Sequence, residues 1–589
     1  MKNIVFLFIS FLLFSCSESK PKAEQINDLY QSDLVVLQKN VVQLQHLVEN
    51  GATQKQLQNQ FLKAHQSYKR VESISEYFFP SVSKAINGPA LDEYEDDEGI
   101  TVPPAGLQVI EEFFFPVYDK NAKNEILKEI GILTANVYRL EMISKTNELT
   151  DASVFDAMRL EVFRIITLGI TGFDSPIALN SLPEAITSLE SIEKQLAIYD
   201  ENGQNSTTLK ILKVGKDYLD KNSKFNEFDR AYFIKKYLNP LSKAIYELQS
   251  DLKIPFFKES RGLKVGAQTL FDKNAFDAEA FSGFPDYKTT KEKIELGKLL
   301  FNDPVLSGNN TRSCASCHYA DKAFTDGLEK AVTLDGKQMV KRNTPTLSNI
   351  AFQRSFFYDS RVNYLEDQAI AVITNENEMH GSLEKSALDL KKSEKYAANF
   401  EKAFPNKEIT AFAIKNALAS YIRSLSNYDS RFDGYMRGEE KFNLDEIAGF
   451  NLFAGKAKCA TCHFIPLTNG TVPPNFDRSE SEVLGVPGKD KKIDGDLGKF
   501  DLTKAEVNRY SFKTPTIRNI ALTAPYMHNG IFKTLEEVID FYDGGGGNGL
   551  GFNLSNQTLP IDKLNLTPLE KKQLIAFMKT LTDKKLEYK

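Results

Sequence analysis

Apolar positions between residues 25 and 250 recur at helical spacing. Leu34, Leu37, Val41, Leu44 and Val48 form one stripe, and Leu57, Phe61, Ala64, Tyr68 and Val71 form a second. Thr53 and Gln56, just before the second stripe, have the spacing of a capping box. An acidic stretch at residues 92–98 and the pair Pro103-Pro104 interrupt the pattern before it resumes, and long runs of period two are not evident. Residues 255–290, rich in Phe, Gly, Lys and Asp, read as a join. Beyond it, two stretches, about 290–435 and 440–589, read as small helical units with long loops. Thr534 with Glu537 caps a short helix that places Leu535, Val538, Ile539 and Tyr542 on one buried face, and the glycines at 544–547 end it. In the closing helix Thr567 caps, Pro568 sits in the first turn, Glu570 completes the box, and Leu574, Phe577 and Leu581 face inward.

A chain of 589 residues is too long for one core, so about three domains are expected. The net charge of -6 argues against a nucleic-acid binder, which needs a basic footprint. Residues 4–14 form an apolar run broken only by Ser10, after the basic start Met1-Lys2-Asn3 and before Leu13-Phe14-Ser15-Cys16. This pattern predicts a signal peptide over 1–16 with a lipoprotein box, Cys16 becoming the lipidated anchor; a plain secretory signal is the alternative. Export to the periplasm or the outer membrane follows. Trp is absent while Tyr (23) and Phe (42) are plentiful, so any aromatic electron relay falls to Tyr.

The remaining four cysteines lie in two matching patterns, Cys314-Ala315-Ser316-Cys317-His318 and Cys459-Ala460-Thr461-Cys462-His463. Two thiols at this spacing reach the two vinyl groups on one porphyrin edge, and the adjacent His ligates iron. Zinc needs no His directly after each second Cys. A redox dithiol explains one pair but not a duplicated trailing His. Two covalent haem c groups are expected, with His318 and His463 as proximal ligands.

The C-terminal half resembles the bacterial di-haem cytochrome c peroxidase and MauG family. The resemblance is carried by both motifs and by Leu296-Gly297-Lys298-Leu299-Leu300-Phe301, Arg342-Asn343-Thr344-Pro345-Thr346, Tyr358-Asp359-Ser360-Arg361, Glu378-Met379, Lys513-Thr514-Pro515-Thr516-Ile517-Arg518-Asn519 and Ala524-Pro525-Tyr526-Met527-His528-Asn529-Gly530. It implies a mainly α fold: a helical N-terminal domain (17–255) followed by two cytochrome c-type haem domains, 256–435 with the peroxidatic haem and 436–589 with the electron-transfer haem. The implied activity is reduction of hydrogen peroxide at the first haem with electrons relayed through the second from a small donor protein or other reductant. The alternatives are oxidation of a protein or small-molecule partner through high-valent haem iron, as the MauG branch implies, and a non-enzymatic electron-transfer cytochrome. Glu378 matches the acid-base residue above the peroxide haem, Gln368 a second polar residue there, and Tyr358 the aromatic between the haems, a Trp in the family. One calcium ion would use the Asn343 side chain and the carbonyls of Thr523 and Pro525. Family members are often homodimers.

Residues 319–345 hold no His, so the first haem is expected to be open, with His380 and Met339 as competing ligands. For the second haem, Tyr542 stands at the distal-ligand position, as in the MauG branch, with Met527 and Met436 as competitors. The helical half resembles imelysin-like lipoproteins through Tyr77-Phe78-Phe79-Pro80, Asn87-Gly88-Pro89 and Gly106-Leu107-Gln108-Val109-Ile110-Glu111, with Gln108 in place of the family's His. It reads as a docking or spacer module, and no role falls to His46 or His65.

Overall fold

The computed structural model describes residues 20–95, 98–200, 203, 206–560 and 562–584. The signal segment and Cys16 lie outside the described residues. The chain is mainly helical. Its two-stranded pairings are short, Glu93–Glu95 with Ile100–Val102 and Ser481–Val483 with Ser511–Lys513, both antiparallel. The first of these forms within the acidic stretch that interrupts the helical pattern.

Helices Lys22–Glu49 and Gln54–Phe78 bury the two stripes, and every stripe residue is at most 1 % exposed. The Thr53–Gln56 box is formed, so both partners satisfy orphan backbone N–H groups at the helix start. Two π-helical turns, Ile165–Gly169 and Ile234–Leu238, interrupt the later helices; local periodicity did not foretell them. The boxes at Thr534 and Thr567 are formed as expected, and Leu574, Phe577 and Leu581 are buried.

Three apolar clusters hold the molecule together. One lies among the first five helices, including Leu37, Phe61 and Ile130. Another spans Leu296 to Ile422 and surrounds the first cysteine motif. The largest is continuous between the later helices of the N-terminal half (Phe155, Phe163, Phe233) and the C-terminal stretch (Phe432, Phe453, Phe577). Specific contacts fix that junction. Phe173 meets Phe464 edge-on at 5.9 Å, and Lys458 Nζ donates to the Pro176 carbonyl at 3.3 Å. Arg230, fully buried, donates to the carbonyls of Ile170 and Phe225 at 2.8 and 2.9 Å and lies against Gly455, where a Cβ would meet its guanidinium at 2.6 Å.

The two motif-bearing stretches share one backbone plan. Each cysteine motif opens on a 3-10 turn, Cys314–Ser316 and Cys459–Thr461. Thr344-Pro345-Thr346 and Thr514-Pro515-Thr516 precede left-handed asparagines, Asn349 and Asn519, both at φ 62°, and then the turns Ile350–Phe352 and Ile520–Leu522. Gly297 and Gly449 let paired helices approach so closely that a Cβ would sit 1.9 Å from the carbonyls of Ala417 and Gln573 respectively. The repeats clasp each other reciprocally: Asn343 N donates to the His528 carbonyl and Lys513 N to the Tyr358 carbonyl, each at 2.7 Å.

Candidate functional site

The 3-10 turns wind the cysteine motifs so that the backbone N–H of each trailing His donates to the carbonyl of the first Cys, at 3.0 Å for His318 and 2.9 Å for His463. The four thiols form no disulfide, and among the described residues no cluster of three or more His, Cys, Asp or Glu is arranged to hold a metal ion. Burial pushes the thiols of Cys314 and Cys459 up to about 12, so they are protonated and unlike reactive dithiols. Burial also favours neutral imidazole, the ligating form, lowering His318 and taking His463 down to about 4. His318 Nδ1 donates to the Phe324 carbonyl at 2.8 Å, which leaves Nε2 with its lone pair.

A cavity of about 930 Å³ opens beside the second motif, lined by Cys459, Cys462, His463 and Tyr542. It suits a bulky planar group far better than a single metal ion. His463 Nδ1 is buried near the carbonyls of Thr468 and Pro515 without a hydrogen bond of normal geometry. The residues present therefore fit a thioether-bound haem. Leu535, Val538, Ile539 and Tyr542 together form one wall, as their helical spacing requires. Burial and the neighbouring Cys462, Cys459 and Glu482 raise the Tyr542 phenol well above its ordinary value. Met527 also lines the cavity; Met436 is packed in the large core instead.

Tyr358, Asn343, Thr523 and Pro525 reach the same cavity from the clasp. The Tyr358 hydroxyl donates to Asn343 Oδ1 at 3.4 Å, and Asn343 Nδ2 donates to the Leu328 and Glu329 carbonyls at 2.9 and 3.3 Å. Burial raises the Tyr358 phenol, and Asp326 acts electrostatically on both Tyr358 and His318.

Glu378 acts electrostatically on the first motif. Burial raises the Cys317 thiol, with Asp326 and Glu378 adding to the shift against Arg312, and Glu378 Oε1 accepts from Asn375 Nδ2 at 2.8 Å. Burial raises its pKa above the ordinary carboxylate value, against the pull of Arg361 and Arg312. The Arg312 guanidinium also holds the loop by donating to the Glu378 carbonyl at 3.1 Å. Gln368 lies half-buried on helix Leu365–Thr374. His380 and Met339 are both exposed, Met339 at 52 %.

Residues 291–441 match the family described as di-haem cytochrome c peroxidase. The methylamine utilization protein MauG of Methylorubrum extorquens is 36 % identical over 296 residues, covering 50 % of this chain and 78 % of that protein. The chain belongs to the di-haem cytochrome c peroxidase and MauG family. Cytochrome c551 peroxidase of Nitrosomonas europaea is 32 % identical, covering 51 % of this chain and 82 % of that protein. Among solved structures, a MauG-like protein associated with microbial copper homeostasis is 32 % identical, covers 51 % of this chain and 92 % of its own, and has a TM-score of 0.47. As a di-haem family member the protein is an oxidoreductase, and the family implies two haem c groups.

Several wall residues escaped the sequence reading. Glu76, Arg164 and Phe173 bring the helical half into the cavity beside the second motif, where they join Asn87 and Gln108 of the imelysin-like stretches. Behind Arg164 lies a buried ionic cluster. Arg164 pairs with Asp174 at 2.6 and 2.8 Å, Lys69 bridges Asp174 and Glu72 at 2.6 and 2.7 Å, and His65 Nδ1 lies 3.1 Å from Glu184. His65 is thus buried, its pKa taken down to about 3 by burial and by Lys69. A lone helical His carries no local signal of such a setting. Lys513 and Glu482 also line the cavity; Lys513 was visible only as the residue before Thr514-Pro515-Thr516.

Proposed function

We infer that the protein reduces hydrogen peroxide at the haem bound by Cys314, Cys317 and His318, with electrons relayed through the haem bound by Cys459, Cys462 and His463. The observation that carries this reading is the half-buried Glu378 carboxyl, held by Asn375, with Arg312 on its backbone carbonyl and the charges of Arg361 and Arg312 acting on it. A haem supplies the redox-active iron, and peroxide cleavage also needs a proton moved from one oxygen to the other. A carboxylate whose pKa is raised by burial is suited to accept and return that proton. Arg312 and Arg361 keep it available as the base, and Asn375 fixes its direction. The exposed positions of His380 and Met339 support an open first site. Tyr358, between the motifs, is the relay, and its hydrogen bond to Asn343 gives the phenolic proton a partner during oxidation. Gln368 is assigned to the same distal pocket as Glu378. Asn343, Thr523 and Pro525, which all line the cavity, form the calcium site of this reading.

Division into a helical domain (17–255) and two haem domains (256–435 and 436–589), export, lipid anchoring at Cys16 and a homodimer belong to the same proposal. The electron source is a small donor protein or other reductant. The deciding experiment mixes the purified two-haem protein with reduced donor and hydrogen peroxide. Rapid peroxide-dependent donor oxidation is expected, and a protein carrying two haems that shows none refutes the reading.

Tyr542 favours a second reading, oxidation of a protein or small-molecule partner in the manner of the MauG branch. Its phenol faces the cavity that holds His463, and a phenolate ligand would favour oxidised iron. Replacing Tyr542 by Phe is expected to change the ligation spectrum of the second haem while leaving that of the first unchanged. An identical electron paramagnetic resonance spectrum in Y542F removes the support for this reading.

A further inference from the structure

Five cationic side chains line the cavity beside the second motif: Lys84, Arg164, Lys458, Arg478 and Lys513. Lys84 is paired with Glu93, and Arg164 with Asp174 and Glu72. Arg478 is exposed to water. Lys458 directly precedes Cys459 and is held by the Pro176 carbonyl, so it stands at the thioether edge. Lys513 differs from all four. It is only 7 % exposed, no carboxylate among the described residues pairs with it, and its ammonium meets only the neutral Gln353 Oε1. Burial alone takes its pKa down to about 8.

A buried ammonium facing an amide is unfavourable unless an anion completes the pair. The repeat sharpens the point, because Lys513 occupies the place that Asn343, a neutral residue, fills in the first unit. The protein thus puts one buried positive charge on the second unit's side of the clasp, in the wall of the cavity that fits a haem. A haem joined to the protein by its vinyl edge carries two propionate carboxylates at another edge. These would be the nearest chemical answer to an unpaired cation.

We propose that Lys513 is the counter-ion of a propionate carboxylate of the haem attached at Cys459 and Cys462, and so a positioning residue that sets that haem's reduction potential. The proposal rests on the two-haem reading. Gln353 would hold the ammonium in place by its amide oxygen. A positive charge beside the porphyrin favours the ferrous state, which carries one positive charge less at iron. Removing it leaves the carboxylate uncompensated and should lower the potential.

The test measures haem content by pyridine haemochrome and the potential of each haem by spectroelectrochemical titration, in the full-length wild type, K513M, K513Q, K513R and Q353L. Wild-type protein without two haems would sink the two-haem reading itself, independently of Lys513. With two haems bound, K513M and K513Q are expected to shift the second haem's reduction equilibrium at least tenfold toward ferric, about 59 mV for a one-electron couple. K513R should restore most of it, Q353L should change it much less, and the first haem should stay where it was. A merely structural lysine predicts a lowered melting temperature with both potentials unmoved, and that result overturns the proposal. So does a shift confined to the first haem, or a Q353L shift as large as that of K513M. If neither neutral variant retains two haems, the unmodified protein decides by resonance Raman: the propionate bending band should move on H/D exchange, and an unmoved band overturns the assignment.

Discussion

Replacing Glu378 by Gln is expected to lower peroxide turnover by about 10²–10⁴-fold, the usual worth of a positioned acid-base group. Glutamine keeps the size of the side chain and can still accept from Asn375 Nδ2, so the loop should hold its shape. It cannot accept a proton from peroxide. Both haems should remain attached, and the ferric spectrum of the first should change little. The pH dependence follows from the direction of the shift. Burial raises Glu378 above an ordinary carboxylate, so the unprotonated form is lost at a higher pH than for an exposed glutamate. Wild-type turnover at the acidic side should therefore rise with pH through that raised value, and E378Q should lack this limb. Stopped-flow oxidation of reduced donor across the acidic range checks both points. A variant that keeps wild-type turnover would move the proton-transfer role elsewhere.

Replacing Arg518 by Met should destabilise the protein by about 3–5 kcal/mol, the typical cost of leaving a buried charge without its partner. Arg518 is 1 % exposed and donates to both Asp433 carboxylate oxygens at 2.8 Å and to the Pro466 carbonyl at 2.8 Å. Asp583, 3.5 Å from the same guanidinium, accepts in turn from Asn349 and Asn519, the two left-handed asparagines of the repeat. One arginine thus ties the closing segment to both halves of the clasp. The two carboxylates act with opposite signs. Burial would raise Asp433, but Arg518 holds it below the ordinary carboxylate value, so its contribution is present above the unfolded value of about 3.9 and is lost as pH falls through the folded one. Burial raises Asp583 to about 6, so its contribution is present at low pH and is lost as pH rises between about 3.9 and 6. Urea denaturation of the holoprotein, wild type against R518M, measures the loss. A midpoint within error of wild type would show that the cluster does not anchor the fold.

How much of this was legible in the sequence depends on the range over which each feature acts. Thr53, Thr534 and Thr567 announce helix starts because a capping box is closed within four residues. The cysteine motifs are equally local, since the thiols and the imidazole must serve one porphyrin edge. Tyr542 could be placed on the cavity wall from helical spacing alone, because Leu535, Val538 and Ile539 mark the face it shares. Glu378 was different. Its neighbours Asn375, Glu376 and Asn377 are polar, and only the resemblance to a family singled it out. Its setting depends on Arg312, which reaches it from far away in the chain.

The sequence by itself determined two haem-attachment motifs, the helical character of both halves and the caps that bound key helices, because each depends on residues a few positions apart. The tertiary structure alone decided that the helical half walls the second cavity, that one core runs through that half and the C-terminal stretch, and that Lys69, Arg164 and Lys513 are buried. These outcomes depend on which surfaces meet across hundreds of residues, and a buried charge looks the same in sequence as a solvated one until its neighbours are known.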